Sequence, residues 1–337
     1  MRRRSSRDPR PPSPGKGSSY ARLPLPLLVA IVASVAACTS AATTSPSVPP
    51  PTGTGSVSPS PVAAFPVTLT DDEGGTLTIA AEPRKIASLT PAVTEILFEL
   101  GLGDRIVGKV EDPALYPPEA AAIPDVAKFG SVDVEQIVAK GTELVIAGGN
   151  DFNPDEAIAQ LRGLDIPVLV VYAPDVRTMF TDIELIGRAV GRADEARTLA
   201  DTLRDGFDKV AAATAGRERP RVFYEIDATG AIYGPADMTF LAEMIELAGA
   251  EPITTGSATK FEIPLERLIK ADPEIILLAD AQFGVTAEQV GARPGWSVMT
   301  AVKQRDIRPI DDTVTTRPGP RILDGLRTLT AAIQFEK

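Results

Sequence analysis

Residues 193–214 read ADEARTLADTLRDGFDKVAAAT. Ala196, Leu199, Ala200, Leu203, Phe207, Val210 and Ala211 recur at helical spacing and make one apolar stripe. No proline interrupts the run, and Gly216 and Pro220 close it. At about 1.5 Å per residue this helix spans about 33 Å, long enough to cross between two lobes. A second amphipathic stretch, residues 178–190, precedes it.

Strands and helices alternate on both sides of this pair. Toward the N-terminus, residues 85–89 (KIASL) read as a strand. Thr90 then suits an N-cap and Pro91 the first helical position. Val93, Ile96, Leu97 and Leu100 carry the helix and Gly101 ends it. Residues 144–147 and 168–171 are apolar runs of the buried-strand type, with a helix around 154–162 between them. Residues 67–70 and 76–79 alternate apolar and polar around Asp71-Asp72-Glu73-Gly74-Gly75, a β-hairpin pattern with a solvated acidic turn. Toward the C-terminus, strands are expected at 221–226, 274–278 and, at an edge, 307–310. Helices are expected at 239–248, 265–271 and 320–334. The Asp311-Asp312 pair reads as a second solvated turn. The fold class is α/β: two α/β lobes with parallel-type sheets flanked by helices, joined by a long inter-lobe helix. The boundaries are 66–176 for the N-terminal lobe, 177–216 for the inter-lobe helices and 217–337 for the C-terminal lobe.

Composition narrows the chemistry. The 337 residues contain no His and one Cys. That excludes Ser-His-Asp and Cys-His triads, His-liganded zinc and an internal disulfide. Lys and Arg number 34 against 45 Asp and Glu, a net charge of −11, which disfavours nucleic acid as a partner. No P-loop, GxSxG or GxGxxG motif follows a strand. An enzyme is not expected, nor any resident cofactor or metal site.

The first 37 residues are an address. Arg2, Arg3, Arg4, Arg7, Arg10, Lys16 and Arg22 stand against Asp8 alone. Residues 23–37 are apolar apart from Pro24, Pro26 and Ser34, short for a spanning helix and right for a signal sequence. The run ends Val35-Ala36-Ala37-Cys38, which resembles a bacterial lipobox. That pattern implies cleavage before Cys38 and its lipidation. An ordinary signal peptide or an uncleaved anchor is the plainer alternative, and the arginines are loosely twin-arginine-like. Residues 38–65 carry no charge and are mostly Ser, Thr, Pro, Ala and Val, a disordered tether. The expected location is the outer face of the cell membrane, on the periplasmic side where there are two membranes.

Several segments fall in a meaningful order: Pro83-Arg84-Lys85-Ile86-Ala87-Ser88-Leu89-Thr90-Pro91, Tyr116-Pro117-Pro118-Glu119-Ala120, Leu247-Ala248-Gly249-Ala250-Glu251, Asp272-Pro273-Glu274-Ile275-Ile276, Arg293-Pro294-Gly295-Trp296 and Arg317-Pro318-Gly319-Pro320-Arg321. Over residues 67–334 this order resembles the helix-hinged, class III substrate-binding proteins of bacterial ABC importers, which take up vitamin B12, ferric siderophores and haem. The resemblance implies a monomer that captures a small-molecule metal chelate, a ferric siderophore or cobalamin, in an inter-lobe cleft. It implies delivery to a permease dimer with its ATPase. A haem-binding member, a sensory or adhesion lipoprotein and a chelate-processing enzyme are the alternatives on this fold. The single Trp, Trp296, lies in the Arg-Pro-Gly-Trp motif, and a haem ligand would have to be a Tyr.

In open α/β lobes, ligands bind beyond the carboxyl ends of the strands. The loops there carry Phe129, Asn150, Phe152, Tyr233, Lys260, Phe261, Phe283 and Arg317 as candidate ligand contacts. The aromatics suit stacking on a corrin, porphyrin or catechol face, and the cations, Lys128 included, suit ligand carboxylates or a propanamide rim. Arg321 reads as structural, and Tyr116 and Tyr172 as packing residues. Glu156 and Glu266 each start a helix, one per lobe. The resemblance implies that they dock on arginines of the permease dimer, whose two-fold symmetry presents one pocket to each lobe.

Overall fold

The computed structural model describes residues 65–150 and 152–334. The signal peptide, Cys38 and all but the last residue of the tether lie outside the described residues. The chain opens with an antiparallel hairpin, β1 (Val67–Thr70) on β2 (Thr76–Ile79), with Val67 opposite Ile79 and Thr70 opposite Thr76.

The first lobe then runs β3 (Ile86–Ser88), α1 (Pro91–Glu99), β4 (Ile106–Val110), β5 (Asp125–Lys128), β6 (Ser131–Val132), α2 (Val134–Ala139), β7 (Leu144–Gly148), α3 (Asp155–Gly163) and β8 (Val168–Val171). Its six strands lie in the order β6-β5-β4-β3-β7-β8, parallel except for the edge strand β6. The chain leaves β3 toward β4 on one side and returns to β7 on the other, so the topological switch lies beside β3. Thr90 does cap α1, its Oγ1 accepting from the Val93 N–H at 3.2 Å, an interaction of about 1 kcal/mol. β4 is absent from the sequence reading because Ile106-Val107-Gly108-Lys109-Val110 has no strand-like alternation. The side chain of Lys109 is buried and paired with Asp125 on the adjacent strand.

Two helices follow, α4 (Val176–Ala189) and α5 (Ala193–Thr214). They form a helical hairpin, and both are packed against the second lobe. A Cβ on Gly187 of α4 would lie 2.1 Å from the Cβ of Ala196, so only glycine allows the two helices to approach this closely. Farther along α5, a Cβ on Gly206 would meet the Leu323 side chain at 2.3 Å. Phe180 of α4 and Phe207 of α5 pack edge to face, ring centres 5.5 Å apart.

The second lobe comprises β9 (Arg221–Glu225), α6 (Phe240–Leu247), β10 (Glu251–Pro252), α7 (Leu265–Ala271), β11 (Ile275–Leu278), α8 (Ala287–Gly291), α9 (Thr300–Gln304), β12 (Ile307–Pro309), α10 (Asp312–Thr315) and α11 (Ile322–Gln334). Its sheet, β10-β9-β11-β12, is wholly parallel, with its switch between β9 and β11 and with β12 at the edge, as the sequence suggests.

The period of two along each strand divides the core. Ile86, Leu144, Ile146, Val222, Tyr224, Ile275 and Leu277 enter one continuous cluster that includes α1, α4, α5, α6 and α11. Their neighbours Ala87, Val145 and Ala147 pack outward beneath α2 and α3. Phe223, Ile276 and Leu278 pack outward around Trp296. One apolar core therefore runs through the helical hairpin and ties the two lobes together.

Candidate functional site

Loops beyond the carboxyl ends of the two sheets meet at a polar floor where ion pairs join the lobes. Glu95 on α1 and Asp112, just beyond β4, belong to the first lobe; Arg317 and Arg321, just beyond α10, belong to the second. Arg317 Nη2 donates to Asp112 Oδ1 at 2.7 Å and Nη1 to Oδ2 at 2.8 Å, with a longer contact to Glu95 at 3.3 Å. Arg321 Nε donates to Glu95 Oε2 at 2.9 Å. Its guanidinium also lies 3.7 Å from the ring centre of Tyr116. Burial alone would raise the Asp112 carboxyl. The hydrogen bond and charge of Arg317, helped by the Ala114 amide and Lys109, outweigh that and hold it below the usual carboxylate range. A hydrogen bond steadies the arginine side of this clamp: the buried Tyr224 hydroxyl donates to Asp312 Oδ1 at 2.8 Å, on the short helix α10 that ends just before Arg317.

Each lobe also carries aromatic loops beyond its strands. Phe129 is 76% exposed, yet it is not isolated: its ring meets Phe152 edge to face, centres 5.4 Å apart. The Gly130 amide donates to the Phe152 carbonyl at 3.2 Å, so the loops after β5 and β7 are joined. Asn153, almost fully buried, accepts from the Gly148 amide at 2.7 Å and anchors the second of these loops. Asn150, at φ +55°, reaches the Tyr172 hydroxyl at 3.2 Å. In the second lobe Tyr233 bridges Asp227 and Glu262, the Gly234 amide donates to the Phe261 carbonyl at 2.9 Å, and Lys260 is exposed beside Phe261. Phe283 is 83% exposed at the end of the turn that follows β11. At the root of that turn Asp280 is buried with neither carboxylate oxygen hydrogen-bonded. Burial first, and then the charge of Glu225, push it up to about 6. Glu225 itself is clasped by Arg293 at 2.6 and 2.8 Å.

The structure thus groups Phe129, Asn150 and Phe152 on one lobe, and Tyr233, Lys260, Phe261 and Phe283 on loops of the other. Three expectations change. The guanidinium fork of Arg317, expected on the ligand, is occupied by Asp112 and Glu95. Tyr116 and Tyr172 are not core packing; both are part-exposed at the cleft. The acidic turns are not simply solvated. Asp71 is buried, accepting from the Gly75 amide at 2.6 Å and pairing with Arg162 at 2.8 Å, while Asp72 accepts the Tyr172 amide at 2.6 Å. Asp312 is likewise engaged by Tyr224. Glu95 and Asp112 escaped the sequence reading. Their signals are an acid inside the apolar face of α1, between Val93 and Ile96, and an acid directly beyond a strand.

Glu156 and Glu266 are both exposed. Each is the second residue of a helix whose N-cap is a proline, Pro154 for α3 and Pro264 for α7. The two lobes therefore carry the same local device.

The pattern of the periplasmic binding protein family matches residues 86–314. The chain belongs to that family. It is 32% identical over 274 residues to an uncharacterised ABC transporter substrate-binding lipoprotein of Bacillus subtilis, covering 80% of this chain and 86% of that protein. It is 24% identical to a vitamin B12-binding protein of Vibrio parahaemolyticus, over 74% of this chain and 90% of that one. A solved Fe3+-hydroxamate transport-system protein of Saccharomonospora viridis superposes with a TM-score of 0.67 at 25% identity, covering 80% of this chain and 99% of that one. Periplasmic binding proteins capture ligands and do not turn them over, in keeping with the absence of a catalytic motif. Among the described residues no helix is long and apolar enough to cross a membrane.

Proposed function

We propose that this periplasmic binding protein is the extracytoplasmic receptor of an ABC importer for a metal chelate, a ferric siderophore or a cobalamin. The chelate lies between the aromatic loops of the two lobes. The observation that carries this reading is the Phe129–Phe152 pair at the carboxyl ends of β5 and β7, where an exposed Phe129 stands edge to face on a Phe152 half-buried against the first-lobe core. An exposed aromatic ring braced in this way and tied by a backbone hydrogen bond is a preformed platform for an apolar or planar ligand face. The relatives support the chelate class: a similar protein is described as binding vitamin B12 and a similar fold as serving Fe3+-hydroxamate transport.

Glu156 and Glu266 dock on the two halves of a permease dimer that works with an ATPase, and Cys38 carries the lipid that holds the receptor at the outer face of the membrane. The relative described as a lipoprotein supports the anchor. One continuous core through the helical hairpin favours small lobe movements on binding. Calorimetric titration with cyanocobalamin, a ferric trihydroxamate and haemin tests the reading. One-to-one binding of cyanocobalamin or the trihydroxamate below about 1 μM supports it, and binding of haemin alone, or of none of the three, overturns it.

A further inference from the structure

The cleft floor holds two arginines, and neither is free. Arg317 has both Nη atoms on Asp112, and Arg321 has its fork on Glu95. Their carboxylate partners are buried, Asp112 to 7% exposure and Glu95 to 3%. Arg293, just beyond α8, is closed in the same way on both oxygens of Glu225, the fully buried last residue of β9. A guanidinium recognises an anion through that two-pronged edge. Once a carboxylate occupies it, the pair presents a dipole in place of a charge. The cations that remain on the cleft loops, Lys128 and Lys260, are exposed point charges with the exposed acids Glu111 and Glu262 on the same set of loops. The chain as a whole is at −11, so the background field also repels anions.

We propose that Asp112 and Glu95 set the charge selectivity of this cleft: by closing Arg317 and Arg321 they reserve it for a neutral or cationic metal chelate with an apolar face, against polyanionic chelates. The proposal rests on the reading of the cleft as a chelate site. It places neutral corrinoids and ferric trihydroxamates in the favoured class, and ferric tris-catecholates and haemin with free propionates in the disfavoured one. Asp112 is a positioning residue that acts through Arg317.

The test titrates the full-length chain in mild detergent with cyanocobalamin, ferrioxamine, a ferric tris-catecholate and haemin. The expected result is at least 100-fold tighter binding of a neutral or cationic probe than of either anionic one. In Asp112→Asn the freed Arg317 fork shrinks that ratio at least tenfold, a change that general loosening of the site does not produce. A second readout needs no variant: affinity for the neutral probe, cyanocobalamin, changes less than twofold between 20 mM and 500 mM NaCl, and that for a cationic trihydroxamate does not rise with salt. Tightest binding of an anionic probe, an unchanged ratio in Asp112→Asn, or a departure from either salt result overturns the charge selectivity while leaving the chelate reading intact. Failure of all four probes to bind overturns both.

Discussion

Arg317 of the second lobe and Asp112 of the first meet across the cleft floor in a two-point contact, Nη2 to Oδ1 at 2.7 Å and Nη1 to Oδ2 at 2.8 Å. The two residues lie 205 positions apart in the chain. The pair joins the two lobes.

Removing one side of this pair leaves a buried charge unmatched. Arg317→Met should lower stability by about 3 kcal/mol in urea denaturation. The folded Asp112 carboxyl lies below its unfolded value. Its contribution is therefore present above the unfolded carboxylate range and lost as pH falls through the folded value, below about pH 4. The variant should unfold with a weaker pH dependence on the acid side than the parent.

A second acid pair works in the opposite sense. Asp182 on α4 is buried, with Oδ1 unpartnered, and faces Asp72 of the hairpin turn. Burial first, then the charge of Asp72, its hydrogen bond and the charge of Asp175, push Asp182 up to about 8. The folded state then holds a proton that the unfolded state has released. Stability falls as pH rises from the ordinary carboxylate value toward 8, by at most about 1.4 kcal/mol per pH unit. Urea midpoints at pH 5 and pH 8.5 check this. Asp182→Asn should flatten the difference, and an unaltered slope would remove the pair from the account.

Phe129 contributes little to the core at its exposure, so Phe129→Ala should leave the melting temperature within about 2 °C. Its effect should appear in binding, as an affinity loss of about tenfold, or about 1.4 kcal/mol. Because Phe152 shares the platform, the double variant should lose less than the sum of the two single losses. Calorimetry on the three variants decides it.

Glu156→Lys and Glu266→Lys reverse exposed charges far from any core contact. Ligand affinity should stay within about twofold, while transport by the reconstituted importer should fall at least tenfold for each. Transport at the parent rate with both charges reversed would exclude docking through these positions.

Gly187→Ala places a methyl group 2.1 Å from the Cβ of Ala196 and 2.8 Å from the Arg192 carbonyl oxygen. The α4–α5 hairpin must open to accept it, at a cost of about 1–3 kcal/mol that thermal unfolding should report.

Local signals carried much of this protein. The stripe on residues 193–214 locates α5 end to end, and Thr90-Pro91 locates the start of α1, because helix spacing and capping depend on residues a few positions apart. Apolar runs at 144–147 and 168–171 mark β7 and β8 for the same reason. The aromatic residues on the loops beyond the strands were legible from strand polarity alone. Strand β4 was not, because its buried Lys109 is stabilised by Asp125 on a different strand. The fate of each charge also lay beyond local pattern. Arg317 looked like a ligand anchor and Asp71 like a solvated turn residue until the fold supplied Asp112 and Arg162 as partners. By itself the amino-acid sequence determined most of the elements, their order and the family, since those follow from periodicity and short motifs. Only the tertiary structure decided which cations remain free to meet a ligand, because ion pairing depends on distances between side chains that may lie hundreds of residues apart in the chain.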